Sequence, residues 1–326
     1  MKRNIAATAS VLALVVGLFG AGTTDARTLA KAPLGEGLTL PYFVSDPRGG
    51  AGITRILVAL HGYTRDATRT YDAAVRAAAE AGHERDTLIV VPIFQVPPDE
   101  ATRCHFRGTP RVVPGDALWH CHSWAKGEPA LNGRTTSFAA MDALVSTLLD
   151  TYPMASRVTI AGFSAGAQFV QRYAAFSATP PRPVALRYVI ADPSSFLYFD
   201  PARPLPGAAA CPGYDRWKFG TEDLPGWLGR GPGEARAAYA SADLHYLEGA
   251  LDTGTGPGTA FRLLETGCAA ELQGRFRLDR GAYYAAYDDG ALAHGAHILT
   301  IVPACAHSVS CVFPSQAARS ALFGSQ

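Results

Sequence analysis

Short apolar runs rich in β-branched residues alternate along this chain with stretches whose apolar residues recur at helical spacing. The runs predict strands buried on both faces, the stretches predict helices laid against them, and the alternation predicts a parallel sheet covered on both sides. Strands are expected at Leu38–Ser45, Ile53–Gly62, Asp86–Phe94, Arg157–Gly162, Leu186–Asp192, Leu244–Asp252 and His297–Ala304. The first reads as an edge strand, because Pro41 has no amide donor to give a neighbour. Helices are expected near Ala67–Ala81, over Ser137–Tyr152 with Pro153 as the stop, over AGAQFVQRYAAFSA from Ala165, and within Gln316–Phe323. Residues 95–134 and 193–243 break the rhythm. Both are too long for ordinary connections and read as insertions over the strand ends. No linker and no internal repeat is visible, so residues 27–326 read as one domain.

One strand ends abruptly. RVTIAGFSAG, residues Arg157 to Gly166, runs from β-branched residues into a serine flanked by small residues and two glycines, and a helix pattern follows at once. A Gly-x-Ser-x-Gly string is weak by itself; the strand before it and the helix after it give it weight. In such a turn the serine backbone is strained and its neighbours must be small because the chain passes close by. A serine hydroxyl is a poor nucleophile without a base and an acid to orient that base. The arrangement requires them in the order serine, carboxylate, histidine, each after a later strand. Asp252 ends LHYLEGALD and His307 follows HILTIVPACA, so Ser164, Asp252 and His307 form the candidate set. Asp192 is the rival acid, and Asp288 and Asp289 in YDDG read as a solvated turn. His294 and His297 flank the last strand and are assigned surface or packing roles. His61 in ALHGYTRD reads as structural, at a sharp turn where the backbone N–H of Tyr63, with that of Ala165, would donate to an oxyanion.

The N-terminus changes the picture of where such chemistry happens. Lys2 and Arg3 precede the apolar run VLALVVGLFG and then GTTDA, the layout of a secretory signal peptide with cleavage after Ala26. The run is short for a bilayer span of roughly 20 residues, so no stable membrane insertion is expected after cleavage. Export to a periplasm or beyond the cell is the expectation. Basic and acidic residues balance once that leader is set aside. A neutral balance argues against nucleic acid, whose binding is mainly phosphate neutralisation. Six cysteines behind a leader read as disulfides. Sequence does not fix their connectivity; pairing within regions gives Cys104–Cys121, Cys211–Cys268 and Cys305–Cys311. The last would staple the loop that carries His307. RCHF and LWHCHSW also gather Cys104, His105, His120, Cys121 and His122, residue types that bind zinc. Their spacing fits no familiar zinc pattern, and a disulfide is the favoured reading, with no metal and no cofactor required.

With these parts in place the chain resembles the α/β-hydrolase superfamily, and more narrowly a set of secreted bacterial and fungal hydrolases. The carriers are HGYTRDATRTY, TTSFAAMDALV, AGFSAGAQFVQRYA, ADPSSFLYFD, CPGYDRWKFG, YLEGALDT, TGCAAELQG and VPACAHSVSCVF. The resemblance implies a mostly parallel eight-stranded sheet with helices on both faces, and Ser164, Asp252 and His307 as nucleophile, acid and base. Phe163 stands where the group has histidine, Asp192 and Asp215 stand where it has asparagine, and ACAHSVSC replaces a glycine-rich GVGHD loop. The expected function is cleavage of a small or polymeric carboxylic ester through an acyl-enzyme. Alternatives are the same machinery on another acyl bond, as in a polyester depolymerase, thioesterase or peptidase, or a silent binding protein on a hydrolase scaffold. Trp119, Trp124, Tyr214 and Trp217, all in the insertions, are the candidates for lining a substrate cleft.

Overall fold

Eight runs of apolar sequence pair into one sheet, seen in a computed structural model that describes residues 27–46, 50 and 52–324. The expected leader, residues 1–26, lies outside the described residues. The strands are β1 (Thr28–Gly35), β2 (Leu38–Val44), β3 (Arg55–Leu60), β4 (Thr87–Pro92), β5 (Arg157–Phe163), β6 (Ala185–Ala191), β7 (Asp243–Gly249) and β8 (Ile298–Val302). Their order is β1-β2-β4-β3-β5-β6-β7-β8, and β2 alone runs against the rest. Sequence reading found seven of these and missed β1, whose TLAKAPLG carries a lysine and a proline among its apolar residues. β1 is the true edge, and β2 lies inside it. Pro41 is tolerated there because pairing of β2 with β4 begins only at Tyr42. On that side Pro41 offers its carbonyl to the Ile93 amide, 2.8 Å away.

Alternate side chains of each central strand enter opposite layers. Leu57, Ala59, Ile89, Val91, Ala161 and Val189 pack under α1 (Ala67–Glu80). Ile56, Val58, Leu60, Val158, Ile160 and Ile190 face the other way, under α2 (Ser137–Thr151) and α3 (Ala165–Phe176). α3 is buried along its whole length. It packs against α4 (Pro232–Ala240), which lies inside the insertion of residues 193–243. Two further helices, α5 (Cys268–Glu271) and α6 (Arg277–Asp288), fill the long connection between β7 and β8. After β8 come α7 (Val309–Val312) and α8 (Arg319–Phe323), which join the α1 side. Among the described residues no helix is long and apolar enough to cross a membrane.

The three disulfides join Cys104 to Cys121, Cys211 to Cys268 and Cys305 to Cys311. The first closes the insertion of residues 95–134, and the second ties the insertion of residues 193–243 to the segment holding α5. Three readings need correction here. Trp119 and Trp124 do not line a cleft: both are fully buried. Phe94 stacks on Trp124 with centroids 5.0 Å apart and meets the Trp119 edge at 5.4 Å, so the tryptophans fasten the insertion to the core. Asp288 is no solvated turn residue. It is buried at the end of α6, accepting from the Tyr246 hydroxyl at 2.9 Å and pairing with His297 Nδ1 at 2.6 Å.

Truncating a core tryptophan leaves a cavity that close-packed neighbours cannot fill. Trp124→Ala should therefore lower unfolding stability by roughly 3–5 kcal/mol in a urea titration. Trp227→Ala, which alters a half-exposed side chain, should stay within about 0.5 kcal/mol of wild type. Equal losses in the two variants would contradict this packing.

Candidate active site

Four strand ends meet on one rim of the sheet. Ser164 follows β5, Tyr63 lies shortly after β3, and the loops beyond β7 and β8 carry Asp252 and His307. Ser164 adopts φ 59° and ψ −116°, a conformation that L residues rarely take. Its neighbours explain how the chain gets there. A Cβ on Gly166 would stand 2.5 Å from the Leu60 carbonyl oxygen, and one on Gly162 would overlap the Gly166 carbonyl. Both glycines are thus required by close backbone approach. The Ser164 amide donates to the Ala191 carbonyl at 2.9 Å, which pins the corner to the end of β6.

The serine side chain is not isolated. Ser164 Oγ lies 2.9 Å from His307 Nε2, and His307 Nδ1 lies 2.6 Å from Asp252 Oδ2. Arg277 of α6 donates to the other Asp252 oxygen at 3.3 Å and to the Thr259 carbonyl at 2.7 Å. His307 is held from several sides. Its amide donates to the Gly258 carbonyl at 3.0 Å, the Cys305–Cys311 bridge closes its loop, and the Phe163 ring packs against the imidazole at 4.7 Å. Burial, opposed by the Asp252 hydrogen bond, keeps the His307 pKa below the ordinary imidazole value. A hydroxyl in such a chain can lose its proton as it attacks a carbonyl.

The peptide between Gly62 and Tyr63 is fixed in orientation. Its carbonyl accepts from the Arg65 amide at 3.0 Å and faces His61 Nδ1 at 2.9 Å. His61 is fully buried, and burial lowers its pKa to about 4, so the ring is neutral. The Phe94 amide donates to Nε2 at 3.3 Å, leaving the proton on Nδ1. In a trans peptide the Tyr63 N–H then points the opposite way. Neither it nor the Ala165 N–H has an intramolecular acceptor among the described residues. Tyr63, Ser164 and Ala165 line one cleft of about 490 Å³. The expected partners at this rim are thus brought together, including the residues sequence assigned to the oxyanion.

The rival acid has a different environment. Asp192 is fully buried beside Glu248, and its Oδ1 accepts from the Gly249 amide at 2.8 Å. Burial and then the Asp252 charge raise its pKa to about 8. Burial, Asp192 and Asp252 likewise push Glu248 well above the carboxylate range. Both are shifted toward the neutral acid, and neither bonds to His307. Asp192, Asp252 and His307 do place their ligating atoms within 4.8 Å of one another. Asp252 is already shared between an imidazole and a guanidinium, an arrangement that suits proton transfer better than a cation.

Two cleft expectations fail in addition to the tryptophans. Tyr214 sits beside the Cys211–Cys268 bridge, its hydroxyl donating to the Pro201 carbonyl. Trp217 packs edge-on against Phe176, and it is the next residue, Lys218, that reaches the cleft. Sequence also missed Arg277, because an arginine in the polar-looking GRFRLDRG carries no sign of burial. In the cysteine–histidine cluster, Cys104 and Cys121 are joined, His120 pairs with Glu100, and His122 stacks on Tyr63 at 4.5 Å.

No protein-family model and no curated protein matches the chain. Among solved structures it is similar to poly(aspartic acid) hydrolase-1 from Sphingomonas sp. KT-1, with 22% identity, coverage of 91% of this chain and 98% of that one, and a TM-score of 0.64. It is also similar to a poly(3-hydroxybutyrate) depolymerase from Bordetella parapertussis, at 21% identity, 92% and 89% coverage, and a TM-score of 0.63. What these likenesses share is the fold.

A raised carboxyl makes the fold less stable as pH climbs. Between its unfolded value of 3.8 and about 8, folded Asp192 holds a proton that the unfolded chain has released. Asp192→Asn keeps an acceptor for the Gly249 amide and has nothing to ionise. Its Tm relative to wild type should therefore rise steadily from pH 5 to pH 8. Parallel Tm profiles for the two proteins would contradict a protonated Asp192.

Proposed function

We propose that this chain, which has the α/β-hydrolase fold, is a serine hydrolase that cleaves carboxylic esters through an acyl-enzyme. The observation carrying the proposal is the continuous chain Ser164 Oγ–His307–Asp252, with separations of 2.9 and 2.6 Å. Ser164 Oγ attacks the acyl carbonyl while His307 Nε2 takes its proton. Asp252 orients the imidazole through Nδ1 and stabilises its cation. The Tyr63 and Ala165 N–H groups donate to the oxygen that gains charge, each such donor typically contributing about 3 kcal/mol. His307 then returns the proton to the leaving alcohol, and water repeats the sequence to release the acid. No cofactor enters these steps.

A polymeric ester is the second reading, favoured by the names of the two solved structures above, one a polyester depolymerase and one a poly(aspartic acid) hydrolase. The compartment proposed is the periplasm or the exterior, supported by three disulfides and no free cysteine among the described residues. A binding protein on an inactive scaffold is disfavoured, because nothing in such a role calls for a neutral imidazole placed between a strained serine and a buried aspartate.

Ser164→Ala should keep the wild-type circular dichroism and lose nearly all turnover of 4-nitrophenyl butyrate. Wild type alone should be labelled by a fluorophosphonate. Comparable rates in the two proteins would remove the assignment. The imidazole must be neutral to act as base, and its pKa lies below 6.5, so activity survives mild acid. The acid limb of kcat/KM should accordingly show an apparent pKa under 6.5, and a limb above 7 would contradict burial as the dominant influence on His307.

A further inference from the structure

The cleft containing Ser164 is walled by Arg103, Lys126, Lys218 and Arg262, with Glu265 as the single carboxylate among its lining residues. For a chain of formal charge +1, this is a concentration of positive charge at one place. Glu265 is committed to Lys218, Oε2 to Nζ 2.6 Å, and Lys126 pairs with Glu128. Arg103 and Arg262 are exposed, and neither guanidinium has a partner among the described residues.

A second tier of cations lies behind the wall. Arg172 of α3 is fully buried and donates to the carbonyls of Lys218, Ala125 and Gln168 and to Ser195 Oγ, all of them neutral. Arg280 of α6, also buried, donates to the carbonyls of Gly274, Ser194 and Glu265. Ala125, Gln168, Lys218, Ser194 and Glu265 line the cleft, so both guanidiniums stand one residue behind it. Burial lowers each to about 10, and both remain charged at neutral pH. A buried cation bonded to no carboxylate is costly, and its field is weakly screened by the protein around it. His122 on the same wall is itself held below the ordinary imidazole value by burial and then by Lys218 and Lys126. A neutral ester would draw nothing from such an arrangement.

We infer that the cleft selects an ester bearing a carboxylate close to the scissile carbonyl, in its acyl or its alcohol half. Arg103 and Arg262 make the direct contacts, and Arg172 and Arg280 supply the field. The inference rests on the serine-hydrolase reading and adds the charge of the substrate to it. A single carboxylate, rather than a polyanion, fits a positive region confined to one cleft in a chain of near-zero net charge.

Two matched pairs of esters test it. Mono-4-nitrophenyl adipate and its methyl ester place the charge, or its neutral counterpart, in the acyl half. 4-Carboxyphenyl butyrate and its methyl ester do so in the leaving group. In one pair the anion should be preferred about ten-fold in kcat/KM, through KM, and the preference should shrink as salt rises from 0.02 to 0.5 M. Arg103→Gln and Arg262→Gln change exposed, unpaired side chains and should each reduce the preference about three-fold, in the range of exposed ion pairs. Arg319→Gln, on α8 at the opposite end of the strands, should leave the preference as it is. Fluorophosphonate labelling of Ser164 separates the two ways of failing. A labelled serine with no anion preference in either pair, or with one that salt and both arginine variants leave untouched, overturns this inference alone. An unlabelled serine with no turnover of any of the four esters overturns the serine-hydrolase reading and this inference with it.

Discussion

The serine at φ 59° is the constraint around which the rim is organised. A non-glycine residue in such a conformation costs on the order of 1–3 kcal/mol and persists only where its surroundings over-determine it. Here three things do so. Glycines at 162 and 166 let the corner press against β3, the Ser164 amide is taken by β6, and α3 is buried from end to end. With the backbone held, the hydroxyl has one place to be. That fixed position lets an imidazole and a carboxylate from distant loops be placed to within a hydrogen-bond length.

Charge around the site is arranged by neutralising what is not needed. Three acidic side chains lie together behind the histidine, and three ionised carboxylates there would repel one another strongly. Burial and mutual repulsion push Asp192 and Glu248 toward the neutral acid, and Asp252 is the one of the three with Arg277 and His307 for partners. Glu248 reaches its position only because α6 has a glycine at 281, where a Cβ would overlap the carboxyl group. A helix-interior glycine costs about 1 kcal/mol against alanine. The helix that supplies Arg277 therefore also makes room for the neutral acid.

Much of this was legible in the sequence, and the gaps have physical causes. β3 to β7 announce themselves as apolar runs because both faces of each are covered, and β8 reads the same way although Ile298 and Ile301 stay exposed at the sheet edge. β1, an edge strand with Lys31 in it, has no such run. The spacing of Ser164, Asp252 and His307 was readable since each sits just past a run that was itself recognised. α6 was not: RLDRGAYYAAYD buries two arginines and a tyrosine through hydrogen bonds to carbonyls, and no hydrophobic pattern records that. The aromatic expectation failed for a related reason. Tryptophans in an irregular segment can face a ligand or clamp the segment down, and only the position of Phe94 and Phe169 decides that Trp119 and Trp124 clamp. Asp288 misled because Asp-Asp-Gly is a turn signal, whereas here the helix continues into a wider π-type turn over Asp289–Ala293.

The hydrogen bonds that join hydroxyl, ring and carboxylate bridge 143 and 55 positions of the chain. Contacts of that separation carry the entropy cost of closing the loops between them. β8 is an outer strand, and the ring at 307 reaches the hydroxyl only once that strand has docked on β7. Until then the Ser164 corner lacks the imidazole that faces it in the folded chain. On the function proposed above, reactivity would therefore belong to the finished polypeptide and not to a form in which β8 is undocked.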